Sequence, residues 1–473
     1  MSFQLQTRSL LLRQSPRFQA AKQEMLSVIL ESSRMLQGVK SQDSRQVRET
    51  YSKLLQEFSR DRGRDLYFPF LASGLGHGSL VELADGSVKY DMITGVGIHF
   101  FGHTHPALIE EMIDSLPSDV MQGNLEPGIE MQELLRLILS KVGDQSRLKH
   151  GWMVCSGTMA NEIALKIIRQ KKATATQILA FKDCFAGRST TMQEITDNPA
   201  YRQGQPIYGQ VHYLPFYNPE VGLKASIQAT QRAMEEHLCR YPGMFACLMI
   251  ELIQGEGGFH YAPQEFYVEI FQFAKKVGLA IWVDEVQSFG RTGELFAYQK
   301  FHLNEFVDVV TLGKMLQACL VLYTEEFNPN PGLVAGTFSG STVALKTARR
   351  VVELLCQDGY LGEGGKIEKK SARFVERLSC LQKKDGSGLI GEIRALGGMI
   401  AFVPLSGSMD DVKAVLIKLF DRGVVAFYCG HGPFLIRMLP PLGVLSEDEI
   451  DQVCAIITEV LAEQAERKKG VQS

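Results

Sequence analysis

The chain lacks the features of a membrane protein or of a nucleic-acid-binding protein. None of its 473 residues lies in an apolar run that approaches the ~18 residues needed to span a bilayer. Charge of one sign is not in excess either, because 50 lysines and arginines against 53 aspartates and glutamates leave a formal net charge of −3. The chain therefore has no excess of positive charge that would attract nucleic acid, and it has no acidic tail. These absences favour a small-molecule or protein partner and argue against nucleic acid and membrane.

Paired cysteines are missing as well. The chain has nine cysteines, an odd number, and their spacing is not that of a metal site. Reduced thiols in a cytoplasmic protein without a bound metal are the simplest interpretation. The stretch before Glu24 has basic residues but no acid, a composition shared by organelle transit peptides and by helices with a basic face. No convincing secretory signal is present, and the helix is the simpler of the two interpretations.

The chain shows no internal repeat and no low-complexity segment, and it is too long for one ordinary core, so two or three domains are expected. Apolar residues at helical spacing over 1–65 predict a helical N-terminal extension. An Asp-Gly turn between alternating runs predicts a hairpin over 79–93. From 121 to 344, strand-like runs alternate with helical runs, the pattern of an α/β domain with a mostly parallel sheet. From 345 to 473, long helices and a few strands predict a smaller α+β domain.

Three apolar, strand-like runs each deliver one charged residue at their C-terminal end. Two of the runs end in Glu251 and Asp284, and Lys314 directly follows the third. Because ligands of open parallel sheets bind beyond the carboxyl ends of the strands, we expect these side chains to share a site. A desolvated lysine has a lowered pKa and attacks carbonyl carbons. The set indicates carbonyl–amine chemistry, although a structural ion pair for Asp284 and a solvated loop position for Lys314 remain the alternatives.

A small-residue segment precedes a predicted helix. Ser156, Gly157 and Thr158 follow an apolar run and open the helical pattern. Backbone N–H groups at such a helix start can bind an anion, and an ordinary N-cap is the alternative. The segment has neither the glycine fingerprint of nicotinamide-binding proteins nor the lysine of nucleotide-binding loops, so neither of those functions is predicted.

Taken together, the sequence blocks resemble the class III aminotransferases, which are pyridoxal-phosphate enzymes of fold type I. The likeness runs from about residue 70 to 460 and is closest to the ornithine, acetylornithine and lysine 6-aminotransferase branches. It rests on blocks in the order Ser156-Gly-Thr, Gln254-Gly-Glu-Gly-Gly, Asp284-Glu-Val-Gln, Gly313-Lys and Thr337-Phe-Ser-Gly. The resemblance implies a large α/β domain with a mostly parallel seven-stranded sheet flanked by helices. It also implies a small α+β domain, of which 66–120 would form the N-terminal part.

The resemblance also implies a role for each matching residue. Lys314 would hold pyridoxal 5'-phosphate covalently and later move a proton, and Asp284 would keep the pyridine nitrogen protonated. Two unit charges in close contact are worth on the order of 4 kcal/mol at an effective dielectric near 20, enough to hold that proton at neutral pH. The remaining cofactor contacts would be Ser156, Gly157 and Thr158 on the phosphate, Gln287 on the ring hydroxyl, Phe185 on the ring face, and Thr337 on the phosphate of a neighbouring subunit. The last contact implies a homodimer with shared active sites.

Substrate contacts are implied in the same way. Arg437 resembles the arginine that binds an α-carboxylate, which suits glutamate and 2-oxoglutarate. Arg188 resembles a second carboxylate-binding arginine, and Glu256 resembles the acid that pairs with the small-domain arginine when a donor without a carboxylate at that position is bound. For both arginines a surface ion pair is the alternative. The implied reaction moves a terminal amino group from an ω-amino acid to 2-oxoglutarate by a ping-pong mechanism.

Some positions depart from the family pattern and leave the amino donor open. Gln317 and Cys319 after the lysine resemble the lysine branch, whereas Ser156-Gly-Thr158 resembles the ornithine and acetylornithine branch, and Ala186 replaces a family histidine. Lysine, ornithine, acetylornithine and 4-aminobutyrate are all compatible donors. A second hypothesis keeps the cofactor but assigns an aminomutase, decarboxylase or racemase reaction. A third is a non-catalytic scaffold that uses 1–65 as an interaction element.

Overall fold

The computed structural model describes residues 7–382 and 388–472. The first six residues of the predicted extension, and 383–387 and 473 of the predicted C-terminal domain, lie outside these ranges. The helices are α1 Arg8–Gln14, α2 Pro16–Arg34, α3 Arg45–Arg62, α4 Thr94–Gly97, α5 Pro106–Ser115, α6 Ile129–Leu139, α7 Gly157–Lys171, α8 Met192–Ile195, α9 Leu223–Arg240, α10 Gln264–Lys276, α11 Ala297–Lys300, α12 Thr342–Gln357, α13 Lys366–Ser379, α14 Met409–Asp421 and α15 Glu447–Gln472.

The strands lie between these helices. They are β1 Ala72–His77, β2 Leu80–Leu83, β3 Val88–Asp91, β4 Met121–Gln122, β5 Leu148–Val154, β6 Gln177–Phe181, β7 Val211–Leu214, β8 Phe245–Ile250, β9 Ile253–Gln254, β10 His260–Tyr261, β11 Ala280–Glu285, β12 Val309–Leu312, β13 Cys319–Thr324, β14 Gly340–Ser341, β15 Ile390–Leu396, β16 Met399–Pro404, β17 Val424–Val425, β18 Phe427–Cys429 and β19 Leu435–Met438. The predicted runs that end at Glu251, Asp284 and Gly313 are confirmed as β8, β11 and β12.

The described residues form two compact units. Unit 1 contains the chain up to Ser118, the described part of Glu368–Tyr428, and the residues from Gly432 onward. Unit 2 contains Asp119–Ile367 and Cys429–His431. Each unit therefore combines segments that are distant in sequence.

Two of the unit boundaries differ from the boundaries that the sequence predicts. Helices α1 to α3, predicted as an extension over 1–65, belong to unit 1. The reason is that Lys22 of α2 is buried and donates to Glu110 and Asp114 of α5 at 3.0 and 3.1 Å.

Helix α12 belongs to unit 2, although the pattern change near 345 predicts the small domain there. It packs against α6, and its N-cap Ser341 also lies in β14 of unit 2.

Unit 2 is built around a seven-stranded sheet with the strand order β5-β13-β12-β11-β8-β6-β7. The five strands from β12 to β7 are parallel, and β13 runs antiparallel to both β12 and β5. Every residue of β8, β11 and β12 is buried. Burial on both faces explains why these strands read as continuous apolar runs without alternation. The predicted α/β fold with a mostly parallel seven-stranded sheet is confirmed.

Helices α7 and α10 cover strands of this sheet. Helix α7 packs on β12 and β13, and α10 packs on β11. Each helix buries apolar residues at intervals of three and four, the spacing that places side chains on one helix face. For α7 these residues are Ala160, Ile163, Ala164, Ile167 and Ile168, and for α10 they are Phe266, Tyr267, Ile270, Phe271 and Ala274. Helix α7 begins where the sequence predicts a helix, directly after Ser156.

Unit 1 contains two four-stranded sheets, with strand orders β1-β2-β3-β17 and β15-β16-β19-β18. The predicted hairpin is confirmed, because β2 and β3 pair in antiparallel register around Asp85 and Gly86. Gly86 adopts φ +78°, a left-handed conformation that glycine accepts without strain. Within the described ranges, no helix is both long and apolar enough to cross a membrane.

Candidate active site

Three charged side chains meet at the carboxyl edge of the large sheet. Strands β8, β11 and β12 are neighbours, with Val283 opposite Ile250 and Asp284 opposite Thr311. Glu251 follows Ile250 and therefore lies beside Asp284. Lys314 follows β12, and burial raises the pKa of both carboxyl groups while the positive charge of Lys314 partly opposes that rise. The sheet thus brings one amine and two carboxyl groups into electrostatic contact in unit 2.

Asp284 is buried and held by two hydrogen bonds. Its Oδ1 accepts from the Val286 backbone N–H at 2.8 Å, and its Oδ2 accepts from Asn161 Nδ2 at 2.7 Å. Burial raises the pKa of Asp284 to about 6, although these hydrogen bonds and the charge of Lys314 oppose the rise. A buried carboxylate in this position is stabilised by any additional cation, since desolvation is its main cost.

Glu251 is the second buried acid. Its Oε2 accepts from the Phe185 backbone N–H at 2.8 Å, and its Oε1 accepts from the Gly255 backbone N–H at 3.1 Å. Burial is the largest cause that raises the pKa of Glu251 to about 8, and the adjacent negative charge of Asp284 adds to it. Burial thus raises the pKa of both carboxyl groups of the pair.

The backbone at Lys314 has an uncommon conformation. Lys314 has φ +48° and Gln317 has φ +61°, and the Gln317 N–H donates to the Lys314 carbonyl at 2.8 Å. A left-handed residue other than glycine costs of order 1–3 kcal/mol, so the surrounding structure must impose it. Burial raises the pKa of the nearby Cys319 thiol to about 11, and a hydrogen bond with the backbone of Lys314 opposes that rise.

The start of helix α7 forms a close-fitting cup for an anion. Ser156 caps the helix by accepting the Met159 N–H at 3.2 Å, and Gly157 and Thr158 occupy the first turn. A β-carbon on Gly157 would lie 2.7 Å from Val286 Cγ1, so only glycine fits there. The unsatisfied N–H groups and the helix dipole favour a negative group at this position.

Gln287 presents a buried polar atom towards the same region. Its Oε1 has no hydrogen-bond partner within the described residues. A β-carbon on Gly255 would lie 2.6 Å from that oxygen, so the two residues are in close contact. A buried acceptor without a partner costs about 1–3 kcal/mol and indicates that a further polar group belongs beside it.

The cup, Asp284, Gln287 and Lys314 fit pyridoxal phosphate. The anion cup suits its phosphate, the buried carboxylate suits its ring nitrogen, the Gln287 amide suits its ring hydroxyl, and the half-buried lysine suits its aldehyde. Each match follows from the chemistry of the donor set in this chain. The chemistry of this donor set is therefore compatible with the cofactor.

Other residues singled out from the sequence lie outside this cluster or at its edge. Phe185 is half-buried, and its ring meets Tyr201 edge-on at 6.0 Å. Arg188 is exposed, with its guanidinium 4.1 Å from the Tyr201 ring. Thr337 is exposed in the segment that precedes β14. Glu256 is half-buried, and its carbonyl accepts the Gly430 N–H at 2.8 Å.

Arg437 belongs to unit 1. It is fully buried on β19, where it pairs with Ala401 of β16 in register. Its guanidinium lies 5.7 Å from the Phe427 ring. A guanidinium buried against an aromatic ring keeps its charge and its planar donor geometry, which matches a carboxylate.

Two residues with contacts in the cluster have no assigned role in the sequence analysis. Asn161 donates both to Asp284 and to the Ala186 carbonyl, at 2.7 Å each. It stands on the inner face of α7, and a polar residue among the alanines and isoleucines of that face is the signal that could have identified it. Glu251 directly follows the buried strand β8, and the sequence places it at the shared site without giving it a role.

Known proteins are similar to this chain in sequence. The family described as aminotransferase class-III matches residues 67–461. The acetylornithine aminotransferase of Bacillus subtilis is 30% identical over 395 residues, which cover 81% of this chain and 93% of that protein. The acetylornithine aminotransferase of Caldanaerobacter subterraneus is 29% identical over 400 residues, which cover 82% and 94%.

Solved structures support the fold. Lysine aminotransferase from Mycobacterium tuberculosis in the internal aldimine form superposes with a TM-score of 0.76 at 23% identity, covering 86% of this chain and 99% of that one. Ornithine aminotransferase from Toxoplasma gondii gives a TM-score of 0.74 at 21% identity, covering 87% and 95%. The family match spans most of the sequence and includes every residue of the cofactor cluster. The chain therefore belongs to the class III aminotransferases, and it is a pyridoxal-phosphate-dependent transaminase.

Proposed function

We propose that the protein transfers the terminal amino group of an ω-amino acid to 2-oxoglutarate in a ping-pong reaction. The observation that carries the reaction type is the meeting of Lys314 with the buried Asp284 beside the anion cup of α7. The substrate class rests on the likeness to acetylornithine aminotransferases and on the shared fold with lysine and ornithine aminotransferases. Acetylornithine, lysine and ornithine, the amino donors in these names, all carry a terminal amine.

In this proposal each residue of the cluster has one task. Pyridoxal phosphate, when bound, supplies an electron-accepting ring that stabilises negative charge at the substrate carbon. Lys314 Nζ holds the cofactor and then moves a proton at the reacting carbon of the substrate. Asp284 keeps a proton at the ring nitrogen, and the α7 cup binds the phosphate. Phe185 restricts the orientation of the ring.

Arg437, Arg188 and Glu256 are our candidates for substrate recognition. Arg437 is assigned to the α-carboxylate of glutamate and 2-oxoglutarate, because a guanidinium binds a carboxylate through two parallel hydrogen bonds. Arg188 is assigned to the carboxylate of the donor, and its stacking on Tyr201 leaves its N–H groups available at the edge of the ring. Glu256 is assigned to pair with the arginine when a donor without a carboxylate at that position is bound.

A donor screen tests the reaction. We expect glutamate to form from 2-oxoglutarate with at least one of lysine, ornithine, acetylornithine and 4-aminobutyrate, and with initial rates that give parallel double-reciprocal lines. The measurement is glutamate formation by the purified, cofactor-loaded protein. The Arg437→Lys variant is the matched test of recognition: it keeps the charge but loses the planar fork, so the KM for 2-oxoglutarate should rise by roughly tenfold or more.

Two outcomes of the screen would contradict the proposal. Cofactor binding without glutamate formation from any donor would favour an aminomutase, decarboxylase or racemase. A protein that binds no cofactor would support the non-catalytic scaffold.

We also propose that the protein is a homodimer with shared active sites. Unit 2 exposes Val120, Met121, Leu125, Phe338 and Val343, which we term the apolar patch. Strands β4 and β14 join the two segments that carry it, and the exposed fractions of Leu125 and Phe338 are 94% and 63%. Large apolar side chains exposed together mark an interaction surface, and a second copy is the usual partner.

Thr337 lies within the segment that carries the patch. It directly precedes Phe338, and the Asn124 N–H donates to the carbonyl of the adjacent Gly336 at 2.9 Å. A second copy covering the patch would therefore also cover Thr337. This supports our assignment of Thr337 to the phosphate site of the neighbouring subunit.

Charged substitutions in the patch test the dimer. We expect Leu125→Asp and Phe338→Asp to convert a dimer into a monomer and to lower transaminase activity, because burying an unpaired carboxylate opposes association. Val221→Asp is the control, since Val221 is also exposed but precedes α9. The measurement is molar mass in solution by light scattering. If both patch variants remain dimeric and active, the interface lies elsewhere.

We further propose a cytoplasmic location. All nine cysteines are free, and four of them are buried. Unpaired thiols are typical of a reducing compartment.

A further inference from the structure

Glu251 is a buried ionisable group to which the proposed function gives no task. It has 6% of its surface exposed and stands next to Asp284 at the carboxyl edge of the sheet. Two backbone N–H groups point at its two oxygens, one from Phe185 and one from Gly255. A buried acid costs stability unless its oxygens are bonded, so this position calls for an explanation.

The two donors come from separate segments that border the cluster. Phe185 lies in the segment after β6, and Gly255 follows β9. Gln254 Nε2 donates to the Lys182 carbonyl at 2.6 Å, so the same two segments are joined a second time. Gly255 also contacts the Gln287 amide. Glu251 thus joins the backbone of Phe185 to the backbone of Gly255, and Gly255 in turn lies against Gln287.

We propose that Glu251 is a positioning residue that fixes Phe185 and the Gly255–Gln287 contact relative to each other, and so sets the orientation of the cofactor ring. The inference rests on the proposed contacts of Phe185 and Gln287 with that ring. Glu251 touches the backbones of these segments, and its effect on the ring passes through them. Losing these two hydrogen bonds should therefore loosen the bound ring while leaving Lys314 able to react.

The charge of Glu251 adds a second property. Burial, with the adjacent charge of Asp284, raises the pKa of Glu251 to about 8. Since the pKa of Glu251 in the folded chain lies above its ordinary value of about 4.5, its contribution to stability is full below that value and is lost as pH rises towards 8.

Glu285 offers a matched control on the adjacent strand. It is also fully buried, burial also raises its pKa to about 8, and it also accepts two backbone N–H groups. Its donors, however, are Ala297 at 2.7 Å and Tyr298 at 2.9 Å, which belong to α11. An acid with a merely structural role should behave like Glu285 in every measurement.

The test compares Glu251→Ala, Glu251→Gln and Glu285→Ala in the full chain. We expect Glu251→Ala to weaken pyridoxal-phosphate binding by about tenfold, because two hydrogen bonds are lost, and to reduce the visible circular dichroism of the bound cofactor. Glu251→Gln retains one acceptor and should fall between Glu251→Ala and the wild type. Glu285→Ala should lower the melting temperature and leave the affinity and the circular dichroism of the remaining folded protein unchanged.

The cofactor-free chain gives an independent readout. Between pH 5 and 8 the wild type should lose stability as pH rises, and Glu251→Gln should show a weaker dependence, since the amide does not titrate. Equal effects of Glu251→Ala and Glu285→Ala on affinity and circular dichroism would overturn the inference while leaving the proposed function intact. Failure of the wild type itself to bind the cofactor would instead overturn the proposed function.

Discussion

Replacing Lys314 with alanine is expected to lower kcat for transamination by at least about 10³-fold, because the variant loses both the covalent attachment of the cofactor and the group that moves the proton. The protein should still bind pyridoxal phosphate through the α7 cup, but the visible absorbance of the bound cofactor should change. Borohydride reduction of the wild type should leave a stable adduct on Lys314, which peptide mass spectrometry can locate.

Two further variants separate the nucleophile from the charge. Lys314→Arg keeps a cation beside Asp284 but has no amine that adds to a carbonyl, so its loss of activity should match that of Lys314→Ala. Lys276→Ala removes an exposed lysine of α10 and should leave activity unchanged. A small primary amine added to Lys314→Ala should restore part of the rate. Full activity of Lys314→Ala would exclude the proposed mechanism.

Replacing Asp284 with alanine should have the second large effect on activity. We expect kcat to fall by about 10³-fold. This factor corresponds to a free energy on the order of 4 kcal/mol, which is the contribution of a close ion pair at an effective dielectric near 20. The reason is that the ring nitrogen loses the charge that keeps it protonated. Affinity for the cofactor should fall as well. The measurements are kcat under saturating substrates and the dissociation constant of pyridoxal phosphate.

A cofactor analogue tests whether Asp284 acts by keeping the ring nitrogen positively charged. Pyridoxal phosphate methylated at the ring nitrogen is permanently cationic, so it should restore part of the activity of Asp284→Ala if the role of the carboxylate is to hold that charge. Asn161→Ala removes one hydrogen bond to Asp284 and should cost much less, about tenfold. If Asp284→Ala retains wild-type kcat, the carboxylate serves the fold alone.

The sequence was informative where chemistry follows directly from the ends of buried strands. The apolar runs before Asp284 and Lys314 predicted both the parallel sheet and the meeting of their side chains, because strand ends of a parallel sheet share one edge. The seven-stranded sheet followed from the family resemblance and is confirmed. The strand ends that carry Asp284 and Lys314 were predictable because each depends on a local pattern of consecutive residues.

Features that depend on contacts between distant segments were not predictable in the same way. The role of Glu251 requires knowing that the N–H groups of Phe185 and Gly255 point at it, and these lie on opposite sides of it in sequence. The attachment of α2 to α5 depends on the burial of Lys22, whereas a lysine in a sequence pattern normally indicates a solvated face. Burial of a charged side chain is a tertiary property, so composition and periodicity do not reveal it.

The antiparallel course of β13 limits how this enzyme can diversify. Only residues 313–318 separate β12 from β13, and both strands are hydrogen-bonded in the interior of the sheet. An insertion or deletion beside Lys314 would shift a buried strand by one residue and turn its side chains to the wrong face. Changes in the length of this short reversal should therefore be poorly tolerated. Engineering of this protein towards new amines should begin instead at the candidate recognition residues Arg188, Glu256 and Arg437.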